Sequence, residues 1–164
     1  MMSEQIKRML VMLQGLILVA AIALGWGAGW AGEARYPVQI IPPGGAAVTY
    51  YLELAATPED RQDGLMYRTD LPQTGGMLFA WPEERPRSFW MKNTPLSLDI
   101  LFFSEDRILV SAHLATRPYS EARLRSGTPA QYVVELRAGQ AEAKGLDIGS
   151  VLRLPDALEH RLSW

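Results

Sequence analysis

No cysteine occurs anywhere in the 164 residues, histidine occurs twice, and beyond residue 31 lysine is found only at Lys92 and Lys144. The missing thiols exclude cysteine nucleophiles, iron–sulfur clusters and cysteine zinc sites. His113 and His160 are too few for a zinc centre built on histidine, so neither a metal nor a cofactor is expected. An excess of one charge is missing too. Of 16 basic and 18 acidic residues, Lys7, Arg8 and Glu4 lie within the first 31, which leaves 14 and 17. That balance supplies no basic surface for nucleic acid and no acidic block for a disordered tail. The remaining roughly 130 residues bury about two-thirds of their unfolded surface, enough for one domain without disulfides or metals.

Charge is absent altogether between Arg8 and Glu33. Lys7-Arg8, an apolar run densest over Met9–Leu24, and small residues at Gly29 and Ala31 follow the order of an export signal. A cut after Ala31 places small side chains at both positions that a signal peptidase reads. Met9–Ala28 also reaches the roughly 20 residues of a membrane span. Residues 1–31 therefore read as a signal peptide or as an uncleaved anchor, with residues 9–28 in the inner membrane. In either case the domain is expected outside the cytoplasm, periplasmic or secreted.

After the leader, proline and glycine punctuate short apolar runs, the pattern of a many-stranded β domain. Tyr36–Ile41 and Val48–Ala55 alternate, with Pro42-Pro43-Gly44-Gly45 between them as a turn. In the second run Val48, Tyr50, Leu52 and Leu54 share one face. Thr57-Pro58-Glu59-Asp60 is a helix start, with a capping hydroxyl, proline in the first turn and acids on the positive end of the dipole. Further strands are expected at Met77–Trp81, Ser88–Met91, Leu96–Phe103, Arg107–Leu114, Gln131–Leu136 and Val151–Leu154. A polar loop is expected over Ala115–Pro129, and Ala138–Lys144 reads as a short helix ended by Gly145. The fold class is thus mostly β, a compact sandwich or jelly-roll-like barrel with one or two short helices. Residues 36–154 form the domain, and residues 155–164 form a polar tail expected to fray.

Three strings in order, Arg61-Gln62-Asp63-Gly64-Leu65-Met66-Tyr67-Arg68, Gly76-Met77-Leu78-Phe79 and Phe89-Trp90-Met91-Lys92-Asn93-Thr94-Pro95-Leu96-Ser97-Leu98-Asp99-Ile100, resemble domain-of-unknown-function family 192. Val134-Glu135-Leu136, Gly139 and Gly145 fit the same pattern, and the likeness spans Val48–Leu154. One departure is small: proline stands at Pro95, a step earlier than in many members. The resemblance implies a jelly-roll type of β-sandwich with short helices, commonly exported or anchored, and it implies no particular activity.

Several polar residues stand out against this apolar background. Lys92, Asn93 and Thr94 put a cation, an amide and a hydroxyl beside Trp90 and Phe89, a set able to orient a sugar or a carboxylate. Asn93 and Thr94 are also ordinary turn residues. Asp99 interrupts an apolar strand and must find a partner, either as a functional acid or in a network that pins the fold. Arg61 and Arg68, seven residues apart, would share a face of a continuous helix and could clamp an anion, unless Gly64 ends that helix. Glu135 lies between Val134 and Leu136 and could pair with Asp99 for glycoside hydrolysis. Met66, Met77 and Met91 sit in apolar runs without Met-x-x-Met spacing and read as core residues. His113 stands alone, and no nucleophile elbow is present.

The function expected from these features is an extracytoplasmic domain that binds a small polar or anionic ligand, a glycan or an envelope component. Its ligand-binding residues would be Arg61, Arg68, Trp90, Lys92, Asn93 and Asp99. A hydrolase using Asp99 or Glu135 is the alternative, and a protein-interaction module at the membrane surface is a third reading.

Overall fold

The alternation of the first two apolar runs sets the first hairpin. The computed structural model describes residues 34–164, and the expected leader lies outside them. Strand β1 (Arg35–Ile41) pairs antiparallel with β2 (Val48–Ala55) in a register that places Val38 opposite Tyr50, both fully buried. Gly44, at φ 68°, supplies the left-handed residue of the turn, and the Gly45 N–H donates to the Pro42 carbonyl.

Thr57 then caps helix α1 (Pro58–Asp63). Its hydroxyl accepts from the Asp60 N–H at 3.1 Å, and the Asp60 carboxylate accepts from the Thr57 N–H in return. Gly64, at φ 51°, stops the helix after six residues. The following strands are β3 (Gly75–Phe89), β4 (Leu98–Phe103), β5 (Leu109–His113), β6 (Leu124–Arg137) and β7 (Val151–Arg153). Helices α2 (Gln140–Lys144) and α3 (Asp156–Arg161) follow β6 and β7.

All seven strands join one sheet in the order β5-β4-β6-β3-β2-β1-β7. Among the described strands only β2 and β3 pair in parallel, and a parallel step needs a crossover. That crossover carries α1. The sheet curls so far that its edges touch at one end, where Ile108 bridges Val151 and Leu109 N–H donates to the Ser150 carbonyl at 2.8 Å. The mostly β expectation holds: the described residues form a single curled half-barrel with three short helices.

The concave face carries the main core, including Ile40, Leu52, Leu78, Leu101, Phe103, Val134 and Leu136. The tail differs from expectation. Residues 156–161 are helical because Leu158 and Leu162, four apart, sit on one stripe and bury into this core.

Two expected short strands are one long one. Met77–Trp81 and Ser88–Phe89 both belong to β3, which pairs with β6 through register shifts between Ala80 and Arg85 and between Pro86 and Ser88. Part of the expected polar loop, from Leu124 on, is the matching half of β6. Pro86 sits at one irregularity, where a missing N–H costs least. In a straight strand ten residues span about 33 Å. The rings of Phe79 and Phe89 are only 5.0 Å apart, edge to face. The β3–β6 ribbon therefore folds back over the convex face, which positions the site.

Candidate functional site

The register builds one row of side chains across the convex face. Arg35 lies opposite Glu53, Glu53 opposite Met77, Met77 opposite Glu135, Glu135 opposite Ile100, and Ile100 opposite His113. Two carboxylates thus share a face, two strands or about 10 Å apart. Their surroundings differ. Glu53 accepts from Arg68 at 2.7 Å and has Arg35 at 3.7 Å. Glu135 is 5% exposed, and its Oε2 has no hydrogen-bond partner. With no hydrogen bond or ion pair to offset the loss of water, burial pushes the Glu135 carboxyl up to about 8, so it is un-ionised at neutral pH.

Glu135 forms the floor of a cleft of about 180 Å³. One wall is the crossover from Arg61 to Met66. A β-carbon on Gly64 would lie 3.2 Å from the Phe79 ring and 3.9 Å from Glu135 Oε2, so glycine lets this turn come down over the acid. The other wall is the folded-back ribbon, with Phe79, Trp81, Ser88, Phe89 and Trp90, while Thr94 and Arg123 complete the rim. Phe89 holds this layer together, packing edge-on against Phe79, Trp81 and Phe102.

Both indoles carry cations. Arg61 stands 5.2 Å and Arg87 4.2 Å from the Trp81 ring centre; Arg123 is 4.5 Å and Lys92 5.0 Å from that of Trp90. Arg61 donates to the carbonyls of Ala56 and Ala80, and Arg87 to those of Ala130 and Glu83. Burial lowers the pKa of both arginines, and repulsion from Arg61 lowers that of Arg87 further. None of these four cations has a carboxylate within salt-bridge distance among the described residues.

The structure brings together Arg61, Trp90 and Glu135, with Lys92 against Trp90. The other nominated residues are placed elsewhere. Asp99 pairs with Leu136, one residue on from Glu135, so the two acids project from opposite faces of the sheet and form no pair. Asp99 is 1% exposed; its Oδ1 accepts from the Ala115 N–H and its Oδ2 from the Ala141 N–H, both at 2.9 Å. It ties the loop after β5 and the start of α2 to the sheet. Its charge also adds to the burial that raises the Tyr50 hydroxyl to about 12.

Arg61 and Arg68 do not form a clamp, because Gly64 ends α1 between them and Arg68 turns to Glu53. Asn93, at φ 57°, donates to the Tyr67 hydroxyl at 2.7 Å and accepts from the Tyr67 N–H through its carbonyl. Met91 accepts from the Thr116 hydroxyl, and Met77 is buried on the convex face. His113 contacts the Arg125 carbonyl at 2.9 Å.

Phe79, Trp81 and Arg123 line the cleft and Arg87 stacks on Trp81, and none of them was among the site residues expected from the sequence. Trp81-Pro82 and Arg85-Pro86-Arg87 were the available signals, since two prolines in a strand mark the bends that bring distant rings together.

The family model for DUF192, described as Uncharacterized ACR, matches residues 39–154, which include the whole cleft. The chain belongs to this family. No curated protein matches it. Among solved structures, it is similar to a proposed transcription regulator from Sinorhizobium meliloti 1021, at 39% identity and TM-score 0.73, covering 77% of this chain and 98% of that one. It is also similar to a protein of unknown function from Novosphingobium aromaticivorans, at 31% identity and TM-score 0.72, covering 82% and 96%. The DUF192 fold is thus shared at full domain length with both, and neither comparison assigns a reaction to the cleft.

Proposed function

We propose that this DUF192 protein is an extracytoplasmic binding domain whose cleft takes a small polar or anionic ligand. The observation that carries the reading is the unpartnered, buried carboxyl of Glu135 at the floor of an open, aromatic-lined cleft. A buried polar atom left without a partner costs about 1–3 kcal/mol, a cost that a ligand completing the hydrogen bond removes. Glu53 shows that the same convex face can satisfy a carboxylate with arginines. The extracytoplasmic part of the proposal rests on the leader, whose Lys7-Arg8 and uncharged run fit export.

Hydrolysis is the second reading, favoured by the raised pKa of Glu135, which suits a proton donor at neutral pH. Its partner would be Asp63 on the cleft wall, since Asp99 faces the other way.

Thermal melting across a panel of small glycans, amino acids and organic acids tests the binding reading. At least one compound is expected to raise the melting temperature, with a shift reduced by more than half in Trp90→Ala and Arg123→Ala. Asp99→Asn serves as the control. It is expected to destabilise the free protein by about 2 kcal/mol through lost hydrogen bonding, which lowers its melting temperature, and to leave the ligand-induced shift in place. A panel without any shift, or shifts indifferent to Trp90 and Arg123, would sink the reading.

A further inference from the structure

The chemistry of the cleft narrows the class of ligand. Four aromatic rings around a carboxyl would ordinarily suit an ammonium group, held over the ring faces and countered by the acid. Here that arrangement is already used up. Both indoles that line the cleft have cations of the protein itself over them, two on Trp81 and two on Trp90. A further cation would meet repulsion.

The charge tally points the same way. The groups that face Glu135 are Arg61 and Asp63 from the crossover and Arg123 from the rim. Along its own row, Met77 and Ile100 are its uncharged neighbours; beyond them Glu53 is engaged by arginines and His113 lies two strands away. Arg61 and Arg87 are close enough across Trp81 to repel each other; Glu59 and Asp60 act on Arg61 and Glu83 on Arg87, but none forms an ion pair with them among the described residues. An anion in the cleft between Arg61 and Arg123 would be countered by both. An ionised acid at the floor would oppose such an anion, whereas an un-ionised acid offers it a donor.

We propose that the cleft binds the oxyanion of a small organic acid, a carboxylate or a phosphate monoester, with the Glu135 carboxyl donating a hydrogen bond to one ligand oxygen and Arg61 and Arg123 countering its charge. This rests on the cleft being the binding site. A hydrogen bond from a neutral acid to an oxyanion is short and about twice as strong as a neutral pair, and the guanidinium forks match planar carboxylate and phosphate oxygens. The proton stays on Glu135; no bond is made or broken.

The test uses probes that differ only in charge: glucuronate, glucose 6-phosphate, glucose and glucosamine, and beside them benzoate, benzamide and benzylamine. Binding is followed by the carboxyl and guanidinium resonances of isotopically labelled protein at pH 7 and pH 9. At least one acid is expected to bind 10-fold or more tightly than its neutral counterpart, and the amines are expected to bind least. A group titrating near 8 is protonated about ten times less at pH 9 than at pH 7, so acid binding is expected to weaken about 10-fold across that interval. Glu135→Gln keeps a donor that never ionises; it is expected to bind the same acid and to lose that pH dependence. The carboxylate and phosphate arms show which oxyanion is preferred. A neutral or amine probe that binds more tightly than its acid, or acid binding that strengthens with pH, overturns the oxyanion inference and leaves the cleft as a binding site. Failure of every probe to move the Glu135 resonance overturns both.

Discussion

Glu135→Gln is expected to abolish most of the stability loss that the wild-type protein undergoes between about pH 5 and pH 8. The Glu135 carboxyl is raised from an ordinary 4.5 to about 8 by burial. Below pH 4.5 both folded and unfolded chains hold the proton, and the group does not affect stability. Above 4.5 the unfolded chain releases it and the folded chain does not. Fewer protons are then bound in the unfolded state, so stability falls as pH rises. The fall ends near pH 8, where the folded state also ionises. Each unit of separation corresponds to about 1.4 kcal/mol, and the whole window to roughly 5 kcal/mol. For a domain of this size that is on the order of 10 °C in melting temperature. Carboxylates paired in the folded state give the opposite slope, so the glutamine variant isolates the contribution of Glu135 from theirs. The readout is the difference between the two melting curves over pH 4–9: it should widen in favour of the variant as pH rises. A difference that stays flat would show that Glu135 ionises normally in the folded protein.

The second large effect comes from a glycine. Gly76→Ala is expected to destabilise the domain by 3 kcal/mol or more, at the upper end of what overpacking produces. A β-carbon there would lie 2.3 Å from the Glu135 carbonyl oxygen, 2.8 Å from Leu52 and 3.0 Å from Leu136. The first of these is backbone in the centre of the sheet, between β3 and β6, and cannot turn aside as a side chain can. Relief requires the two strands to part at the residue that carries the cleft acid. Chemical denaturation of the purified variant measures this. A loss under 1 kcal/mol would mean that the strands separate more easily than the packing suggests.

Much of the scaffold was legible because its signals are local. The period-two alternation of Val48–Ala55 reads directly as a strand with Tyr50 and Leu52 inward, and Thr57-Pro58 with Asp60 reads as a capped helix start. The family strings carried the class of fold. The site was only partly legible, because its geometry comes from pairings between distant segments. Asp99 and Glu135 look alike as lone acids in apolar strands. A one-residue offset in register sends one to backbone amides in the core and the other to an open cleft.

Arg61 and Arg68 show the same limit. Seven residues predict a shared face only while a helix continues, and the left-handed Gly64 ends it. The bends in β3 decide most of the remaining geometry. Trp81 and Phe89 are eight residues apart in one strand, yet their rings lie 6.3 Å apart. No periodicity in the sequence encodes that return; it depends on the extra residues that β3 carries between Ala80 and Arg85 and β6 between Arg125 and Pro129.

Glu135, as an un-ionised acid that faces the cleft without a partner, is the centre of the site. The most direct measurement follows the side-chain carboxyl carbon of Glu135 by NMR in labelled protein between pH 4 and pH 10. It is predicted to titrate with a midpoint near 8. A midpoint near the ordinary 4.5 would contradict the account, since the floor of the cleft would then be a solvated or paired anion at neutral pH, with no proton to donate and no vacancy for a ligand to fill.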